Sequence, residues 1–171
     1  MDKESVPVAL ARASLQHFLD KNTVLSVPES LDSVLAGRAG VFVSLKKQGQ
    51  LRGCIGTFQP TKANVASEII HNAIQAGTRD PRFQPVEYQE LSALTISVDI
   101  LGNPEPVHSI EALDPQKYGV IVRRGHRSGL LLPMLEGVDT VEEQLGIAMQ
   151  KAGIGTEEEI ELYRFTVTRY K

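Results

Sequence analysis

The sequence predicts an α+β fold, a sandwich-like arrangement in which helices flank a mostly antiparallel sheet. Segments of alternating apolar and polar residues lie close enough together to pair as hairpins, and single amphipathic helices separate them. A composition of 42% hydrophobic and 23% charged residues is typical of a globular protein. The 171 residues suffice for one domain, since a domain takes about 150 residues.

A first helix is expected to begin at Ser5, with Pro7 in its first turn, and to end at Asn22. Its apolar residues recur on one helical stripe, formed by Val8, Ala11, Leu15 and Phe18. After a long connection, residues 41–46 alternate as a strand, and residues 51–58 return as a second strand. These two strands are predicted to form a hairpin.

A second helix is predicted from residue 64 to residue 76, with Gly77 as its stop. The polar side of this helix is expected to carry Glu68, His71, Asn72 and Gln75. Residues 78–85 are not expected to be helical, because two prolines and an Asp-Pro step impose extended or turn geometry.

The second half of the chain continues the alternation of strands and helices, and it shows no internal repeat. Its predicted elements are a strand at residues 95–100, a hairpin of residues 118–123 and 128–132, a helix from residue 140 to Gly153, a short helix opened by Thr156 and Glu159, and a closing strand at residues 163–168.

Charge and cysteine content exclude several classes of protein. A net charge of −3 and a pI near 5.8 argue against attraction of the whole molecule to nucleic acid. One cysteine excludes a disulfide framework, and the four histidines show no ligand spacing, so neither a metal nor a cofactor is predicted. No apolar run approaches the ~20 residues that span a bilayer. The start lacks a signal peptide, and a cytoplasmic protein is therefore expected.

The most unusual segment is residues 51–57, with the sequence L-R-G-C-I-G-T. In a regular strand Arg52 and Cys54 would share one face, and a guanidinium near a thiol favours the thiolate. Gly53 and Gly56 would leave space beside the cysteine for a ligand to approach the backbone. Cys54 is thus a candidate nucleophile or ligand, and the alternative is a small buried apolar residue.

A second candidate site is residues 78–83, with the sequence T-R-D-P-R-F. Arg79 and Arg82 could clamp a carboxylate or phosphate, with Asp80 orienting one of them. The alternative is a network that staples the loop while Phe83 fills the core. The helix before this loop carries His71, a candidate general base or, alternatively, a surface histidine.

A third candidate is the basic segment at residues 123–127, which could bind RNA or phosphate. No aromatic residues alternate with its cations, so a solvated hairpin tip is the favoured interpretation.

Taken together, these segments resemble the AMMECR domain family. The resemblance is carried by residues 40–45 (G-V-F-V-S-L), residues 51–57 and residues 80–83 (D-P-R-F), and it continues through residues 97–101 (S-V-D-I-L). It spans residues 9–170, and the L-R-G-C-I-G string is specific to this family. The bacterial members that the chain most resembles are called AmmeMemoRadiSam system protein A.

The resemblance implies one domain over residues 1–171, composed of a large and a small subdomain around an antiparallel sheet. It also implies a cleft near residues 51–57, and as partners it implies Memo-type proteins, which look like extradiol dioxygenases, and a radical SAM protein. The family has no settled activity, so three functions stay open: binding of a small molecule or partner, cysteine-dependent catalysis on a small anionic substrate, and RNA binding.

The catalytic hypothesis assigns two sets of residues. The reacting set comprises Cys54, Arg52, His71 and Asp80. The binding set comprises Gly53, Gly56, Arg79, Arg82 and Phe83.

Overall fold

The structure, a computed structural model, describes residues 3–171. In chain order its helices and strands are α1 (Val6–Lys21), α2 (Ser33–Ala36), β1 (Val41–Lys47), β2 (Gln50–Thr57), α3 (Val65–Thr78), β3 (Leu94–Leu101), β4 (Glu105–Val107), β5 (Gly119–Arg124), β6 (Arg127–Leu131), α4 (Val141–Ala152), β7 (Glu161–Phe165) and β8 (Val167–Tyr170). A 3-10 helix at Tyr88–Ala93 precedes β3, and another lies at Ile110–Ala112. None of the helices in the described residues is long and apolar enough to cross a membrane.

The chain divides into two compact units. The first contains the residues up to Ile100 together with Arg169–Lys171, and the second contains Leu101–Thr168. Each unit has its own apolar cluster and its own four-stranded sheet, with strand orders β2-β1-β3-β8 and β4-β7-β5-β6. The pairs β1–β2, β1–β3, β4–β7, β5–β6 and β5–β7 are antiparallel. The predicted α+β fold is confirmed.

The first sheet has one face against helices. Val41, Val43 and Leu45 of β1 are fully buried in the cluster that also contains Leu15 of α1 and Ile69 of α3. Because side chains alternate along a strand, the intervening residues of β1 point to the opposite face. We call that opposite face the polar face. Its members, read from the strand register, are Phe42, Ser44, Lys46, Cys54, Gly56, Thr95, Ser97 and Asp99.

Helix α3 corrects two expectations. It begins after Asn64, whose side chain accepts the Ser67 N–H at 2.8 Å, but it runs through Gly77 to Thr78. Gly77 is a packing position, since a Cβ there would lie 2.5 Å from the Leu15 side chain of α1. The helix therefore continues where the sequence predicted a stop.

The second correction concerns the polar side of α3, which was expected to lie opposite the core side. Glu68 and Asn72 are buried, with 1% and 4% of their surface exposed. The Glu68 carboxylate accepts hydrogen bonds from Thr57 Oγ1 and from the backbone and hydroxyl of Thr61, while Asn72 donates to Val41 O. These bonds satisfy polar groups that would otherwise be costly to bury, and they anchor the connection between β2 and α3.

The second unit places α4 over the hairpin of β5 and β6. Thr140 caps the start of α4 by accepting the Glu143 N–H, and Gly153 ends the helix in the left-handed conformation, both as expected. The predicted short helix at Thr156 is wrong. The chain makes a turn there in which the Glu158 carboxylate accepts the Gly155 N–H at 2.6 Å, so local side-chain bonding replaces a helical turn.

The two units repeat one topology, although no repeat is visible in the sequence. In each unit a hairpin is followed by a helix, and the next long strand then pairs with the first strand of the hairpin. Gly53 of β2 faces Ala76 O of α3, and Gly129 of β6 faces Ala148 O of α4; a Cβ at either glycine would lie 2.1 Å from that carbonyl. Shared topology and shared glycine packing indicate two copies of one ββαβ arrangement.

The fourth strand of each sheet follows the last strand of the other ββαβ arrangement in the chain. β4 follows β3 in the chain but pairs with β7, and β8 follows β7 but belongs to the sheet of β3. The single closing strand predicted at residues 163–168 is thus two strands in two sheets. They separate at Thr166, whose carbonyl accepts the Gly102 N–H at 2.8 Å.

Candidate functional site

The candidate residue Cys54 lies on the polar face of the first sheet. In the strand register Cys54 of β2 is opposite Ser44 of β1, and Ser44 is opposite Ser97 of β3. The Ser44 hydroxyl donates to Cys54 Sγ at 3.1 Å, and the cysteine is partly exposed. Cys54, Ser44 and Ser97 therefore form one polar row across three strands, which we call the polar row.

Arg52 is directed away from Cys54, contrary to the strand alternation assumed from the sequence. The register of β1 and β2 shifts between Leu45 and Lys46, which leaves Arg52 as the extra residue of a bulge. Its guanidinium donates to both Glu90 carboxylate oxygens at 3.0 and 3.1 Å and to Gln84 O at 2.7 Å. Hydrogen bonding from Arg52 is the main reason that the pKa of Glu90 is lowered to about 2.

The space expected beside Cys54 is filled. The missing Cβ of Gly53 would point to the helical face, where Ala76 O stands 2.1 Å away. A Cβ at Gly56 would meet the Phe42 ring at 2.3 Å. Close packing therefore explains both glycines: Gly53 against a helix carbonyl and Gly56 against an aromatic ring. A single sequence does not distinguish such packing from space that is left for a ligand.

Asp80 and Arg82 form a bidentate pair beside β2. The Asp80 side chain is 3% exposed and accepts from Arg82 Nε at 3.0 Å and Nη2 at 2.7 Å. It also accepts the Cys54 N–H at 3.0 Å, and Arg82 donates to Cys54 O at 3.4 Å. Since β2 is an edge strand, the loop occupies backbone groups that a neighbouring strand would otherwise pair.

The charges in this loop reinforce one another. Hydrogen bonding from Arg82 is the largest cause of the lowered pKa of Asp80, followed by burial, which acts in the opposite direction. The pKa of Arg82 is raised mainly by Asp80 and to a lesser extent by the charge of Cys54. Arg82 also lies 5.4 Å from the centre of the partly buried Phe83 ring. These contacts favour the loop staple over the anion clamp for Arg82.

The remaining two candidates, Arg79 and His71, belong to α3 and its C-terminal cap. Arg79 is exposed and caps the helix through its backbone N–H. His71 is partly buried, and its Nδ1 lies 2.8 Å from Ser67 O one turn earlier. Helix α3 packs on the helical face of the sheet, whereas Cys54 points to the polar face. The structure therefore brings Asp80 to the backbone of Cys54 but places His71 on the other side of the sheet.

The arginines of the basic hairpin tip are engaged by neighbouring groups. Arg123 pairs with Glu161, and Arg127 pairs with Glu158. Arg124 donates to Glu159 O at 2.7 Å. Each arginine is thus held by a neighbouring carboxylate or carbonyl, which supports the interpretation of a solvated hairpin tip.

A cavity of about 460 Å³ lies in the first unit and was not anticipated from the sequence. Its lining residues are Glu4, Arg12, Lys46, Leu94, Thr95, Ile96, Ser97, Arg169 and Lys171. Ser97 belongs to both this cavity and the polar row. The alternation of Thr95, Ser97 and Asp99 along β3 was the sequence signal for one wall of this cavity. The neighbouring strand, β8, contributes Arg169 and comes from the distant end of the chain.

Two ion pairs hold arginines at the cavity. Arg12 donates to Glu4 at 2.6 Å and also to the carbonyls of Leu91 and Leu94, each at 2.8 Å. Arg169 is bidentate to the buried Asp99, through Nε at 2.8 Å and Nη2 at 2.9 Å. The pKa of Arg169 is raised mainly by this hydrogen bonding, and the charge of Cys54 contributes.

Within residues 3–171, no three side chains of histidine, cysteine, aspartate or glutamate are grouped so that they could hold a metal ion. The chemistry that the arrangement offers is instead hydrogen bonding and charge: hydroxyls in the polar row, a thiol at one end of that row and cations around the cavity at the other.

These features define an α+β protein with a candidate ligand-binding surface on one sheet. A sequence model of the AMMECR1 family matches residues 8–170, and the chain belongs to that family. It is 61% identical to a protein of Thermotoga maritima over 85% of this chain and 83% of that protein. It is 51% identical to a protein of Clostridium acetobutylicum over 96% of this chain, which corresponds to only 35% of that longer protein.

A crystal structure of an uncharacterized protein from Pyrococcus horikoshii is similar to this chain throughout. The TM-score is 0.87 at 30% sequence identity, and the match covers 98% of this chain and 91% of that protein. The structural similarity and the family match therefore both cover nearly the whole chain.

Proposed function

We propose that the polar face of the first sheet binds a small anionic molecule, held in the cavity next to Ser97. The observation that carries this proposal is the cavity itself, at about 460 Å³ and lined by four cationic side chains. Ligand pockets for small molecules typically measure about 300–1,000 Å³ and combine apolar walls with a few converging polar groups. Here Thr95 and Ser97 contribute hydroxyls, whereas the side chains of Leu94 and Ile96, which also border the cavity, are buried in the apolar cluster on the helical face.

The local charge supports an anion. Within residues 3–171 neither Lys46 nor Lys171 has an ion-pair partner, and Arg169 keeps Nη1 free of the Asp99 contact. This local positive charge lies in a chain whose net charge is −3. A cationic cavity in an acidic protein favours recognition of a specific anion over general attraction to polyanions.

The repeated topology provides a comparison inside the same chain. The row of the second unit that corresponds to Cys54, Ser44 and Ser97 consists of Leu130, Ile121 and Tyr163. A row of two aliphatic side chains and a tyrosine is therefore compatible with the ββαβ arrangement, so the fold itself does not demand a thiol and two serines at these positions. This contrast supports a binding role for the polar row.

The proposal is tested by thermal shift and calorimetry with a panel of small anions at constant ionic strength. Phosphate, sulfate, succinate and citrate serve as probes, and we expect at least one to stabilise the protein. Lys46→Ala should reduce the affinity at least tenfold, whereas Lys21→Ala, which removes the same charge at an exposed end of α1, should not. Absence of binding by every anion, or equal losses in the two variants, would refute the proposal.

A second candidate function is docking to another protein, favoured by the relative in which this domain is about a third of a longer chain. The resemblance implies Memo-type and radical SAM proteins as partners. Purified proteins of these two types from one genome, mixed with this protein, should co-elute in size-exclusion chromatography if the proposal holds. Separate elution at micromolar concentrations would contradict it.

A further inference from the structure

We infer that the anion is a phosphate monoester, with its phosphoryl group centred on Ser97 between Lys46 and Arg169. This inference rests on the proposed function, because it names the class of ligand for the same cavity. Three observations carry it: the charge balance of the lining, the directions from which the donors come, and the size of the cavity relative to one phosphoryl group.

The charge balance matches a dianion. The lining contains four cations, and two carboxylates oppose them: Glu4 within the lining and Asp99 behind Arg169. Among the side chains of residues 3–171, two positive charges therefore remain. A phosphate monoester carries close to two negative charges near neutral pH, since its second pKa is about 6.

The donors come from three different strands. Lys46 of β1 is opposite Thr95 of β3 in the register, and Ser97 lies two residues further along β3, towards Asp99. Asp99 fixes Arg169 of β8. The Ser97 hydroxyl is thus flanked along the strand by an ammonium group on one side and a guanidinium on the other.

Such a distribution favours a tetrahedral ligand over a planar one. Arginine recognises carboxylates and phosphates alike with two parallel N–H bonds, and Asp99 already occupies the Nε and Nη2 edge of Arg169, which leaves the Nη1 side for a ligand. The remaining donors are an ammonium, two hydroxyls and the free edge of the guanidinium. The three terminal oxygens of a phosphoryl group can meet donors from several directions at once, whereas a carboxylate has two coplanar oxygens.

The cavity is much larger than one phosphoryl group. Its volume of about 460 Å³ leaves room for the organic part of an ester beside the phosphoryl group. An ester should therefore bind more tightly than inorganic phosphate, which makes only the polar contacts.

The test is calorimetric titration of the full chain with glycerol phosphate, inorganic phosphate and succinate at constant ionic strength. We expect glycerol phosphate to bind at least tenfold more tightly than succinate and more tightly than inorganic phosphate. Its affinity should fall as the pH is lowered through about 6, because the phosphoryl group takes up a proton. Ser97→Ala and Lys46→Ala should each weaken it, and Lys21→Ala is the matched control.

The outcomes separate the two proposals. If succinate binds as tightly as glycerol phosphate and Lys46→Ala weakens both, the cavity binds anions but the phosphate inference is wrong. If glycerol phosphate binds and Lys46→Ala has no effect, the ligand lies elsewhere and both proposals fail. A folded Ser97→Ala variant that binds glycerol phosphate with unchanged affinity would likewise overturn the inference, since Ser97 is its centre.

Discussion

At the scale of single residues, Asp80 connects the loop after α3 to the edge of the first sheet. Its buried carboxylate accepts bonds from the Arg82 side chain, the Arg82 backbone and the Cys54 backbone. A carboxylate with several donors is stable as an anion even when it is buried. Asp80 therefore fixes the backbone around the only cysteine of the chain.

Arg82→Lys should destabilise the protein, because lysine lacks the fork that bonds both oxygens of Asp80. We expect a loss of about 1–2 kcal/mol, which corresponds to a fall in melting temperature of roughly 2–8 °C. Urea denaturation measures the change, and Arg79→Lys, an exposed arginine in the same loop, is the control. An unchanged melting temperature combined with weakened ligand binding would instead support the anion clamp.

Cys54 should react with iodoacetamide in the folded protein. Its side chain is partly exposed on the polar face, and Arg82 and Arg169 supply positive charge there, whereas Arg52 is directed elsewhere. Mass spectrometry of folded and urea-denatured samples compares the alkylation rates, and Cys54→Ser is the blank. A thiol that stays unmodified until the protein unfolds would show that Cys54 is a packing residue.

At the scale of elements, a glycine in each hairpin contacts the helix that follows that hairpin: Gly53 contacts α3 and Gly129 contacts α4. Gly53→Ala and Gly129→Ala should each cost about 3 kcal/mol, because the added Cβ would lie 2.1 Å from a helix carbonyl that cannot move without the helix. Gly146→Ala is the contrasting variant. It lies exposed inside α4 with nothing within 4 Å of its Cβ position, so it should stabilise by about 0.5–1 kcal/mol.

Chemical denaturation of the three variants tests this explanation of the glycines. A Gly53→Ala protein as stable as the wild type would mean that the contact with Ala76 does not constrain β2. The role of Gly53 in the segment L-R-G-C-I-G would then have to be sought in recognition.

At the scale of the whole molecule, stability should decline in acid. Glu90 has a folded pKa of about 2 against an ordinary value of 4.5, and the pKa values of Asp80 and Glu68 are also lowered. A carboxyl group with a lowered folded pKa stabilises the native state above its unfolded pKa, and that contribution is lost as the pH falls towards the folded value. The contribution of Glu90 should therefore disappear between pH 4.5 and about 2.

Glu90→Gln isolates this contribution. We expect this substitution to destabilise the protein by about 2 kcal/mol at neutral pH, because a neutral amide then replaces the carboxylate that pairs with Arg52 and Lys47. The difference from wild type should shrink as the pH approaches 2. Urea denaturation between pH 2 and pH 7 measures it, with the exposed Glu29→Gln as control. A difference that is independent of pH would contradict the assignment.

Much of the secondary structure could be predicted from local pattern. The caps at Asn64, Thr140 and Gly153 were sufficient to place helix ends, because capping depends on residues within one turn. Local pattern failed at Gly77, where a contact with Leu15 of a distant helix explains the glycine, and at Arg52, where a bulge interrupts the alternation. Neither feature has a short-range signature.

The sequence by itself determined the α+β class, the hairpins and the family to which the chain belongs, since these follow from periodicity and from contiguous motifs. Only the tertiary structure decided which side chains meet. It joined β8 to β3, paired Arg169 with Asp99 over a separation of 70 residues in the sequence, and set Lys46 and Ser97 on one cavity. Such contacts depend on strand order and register, and a one-residue shift in register would turn each side chain to the opposite face.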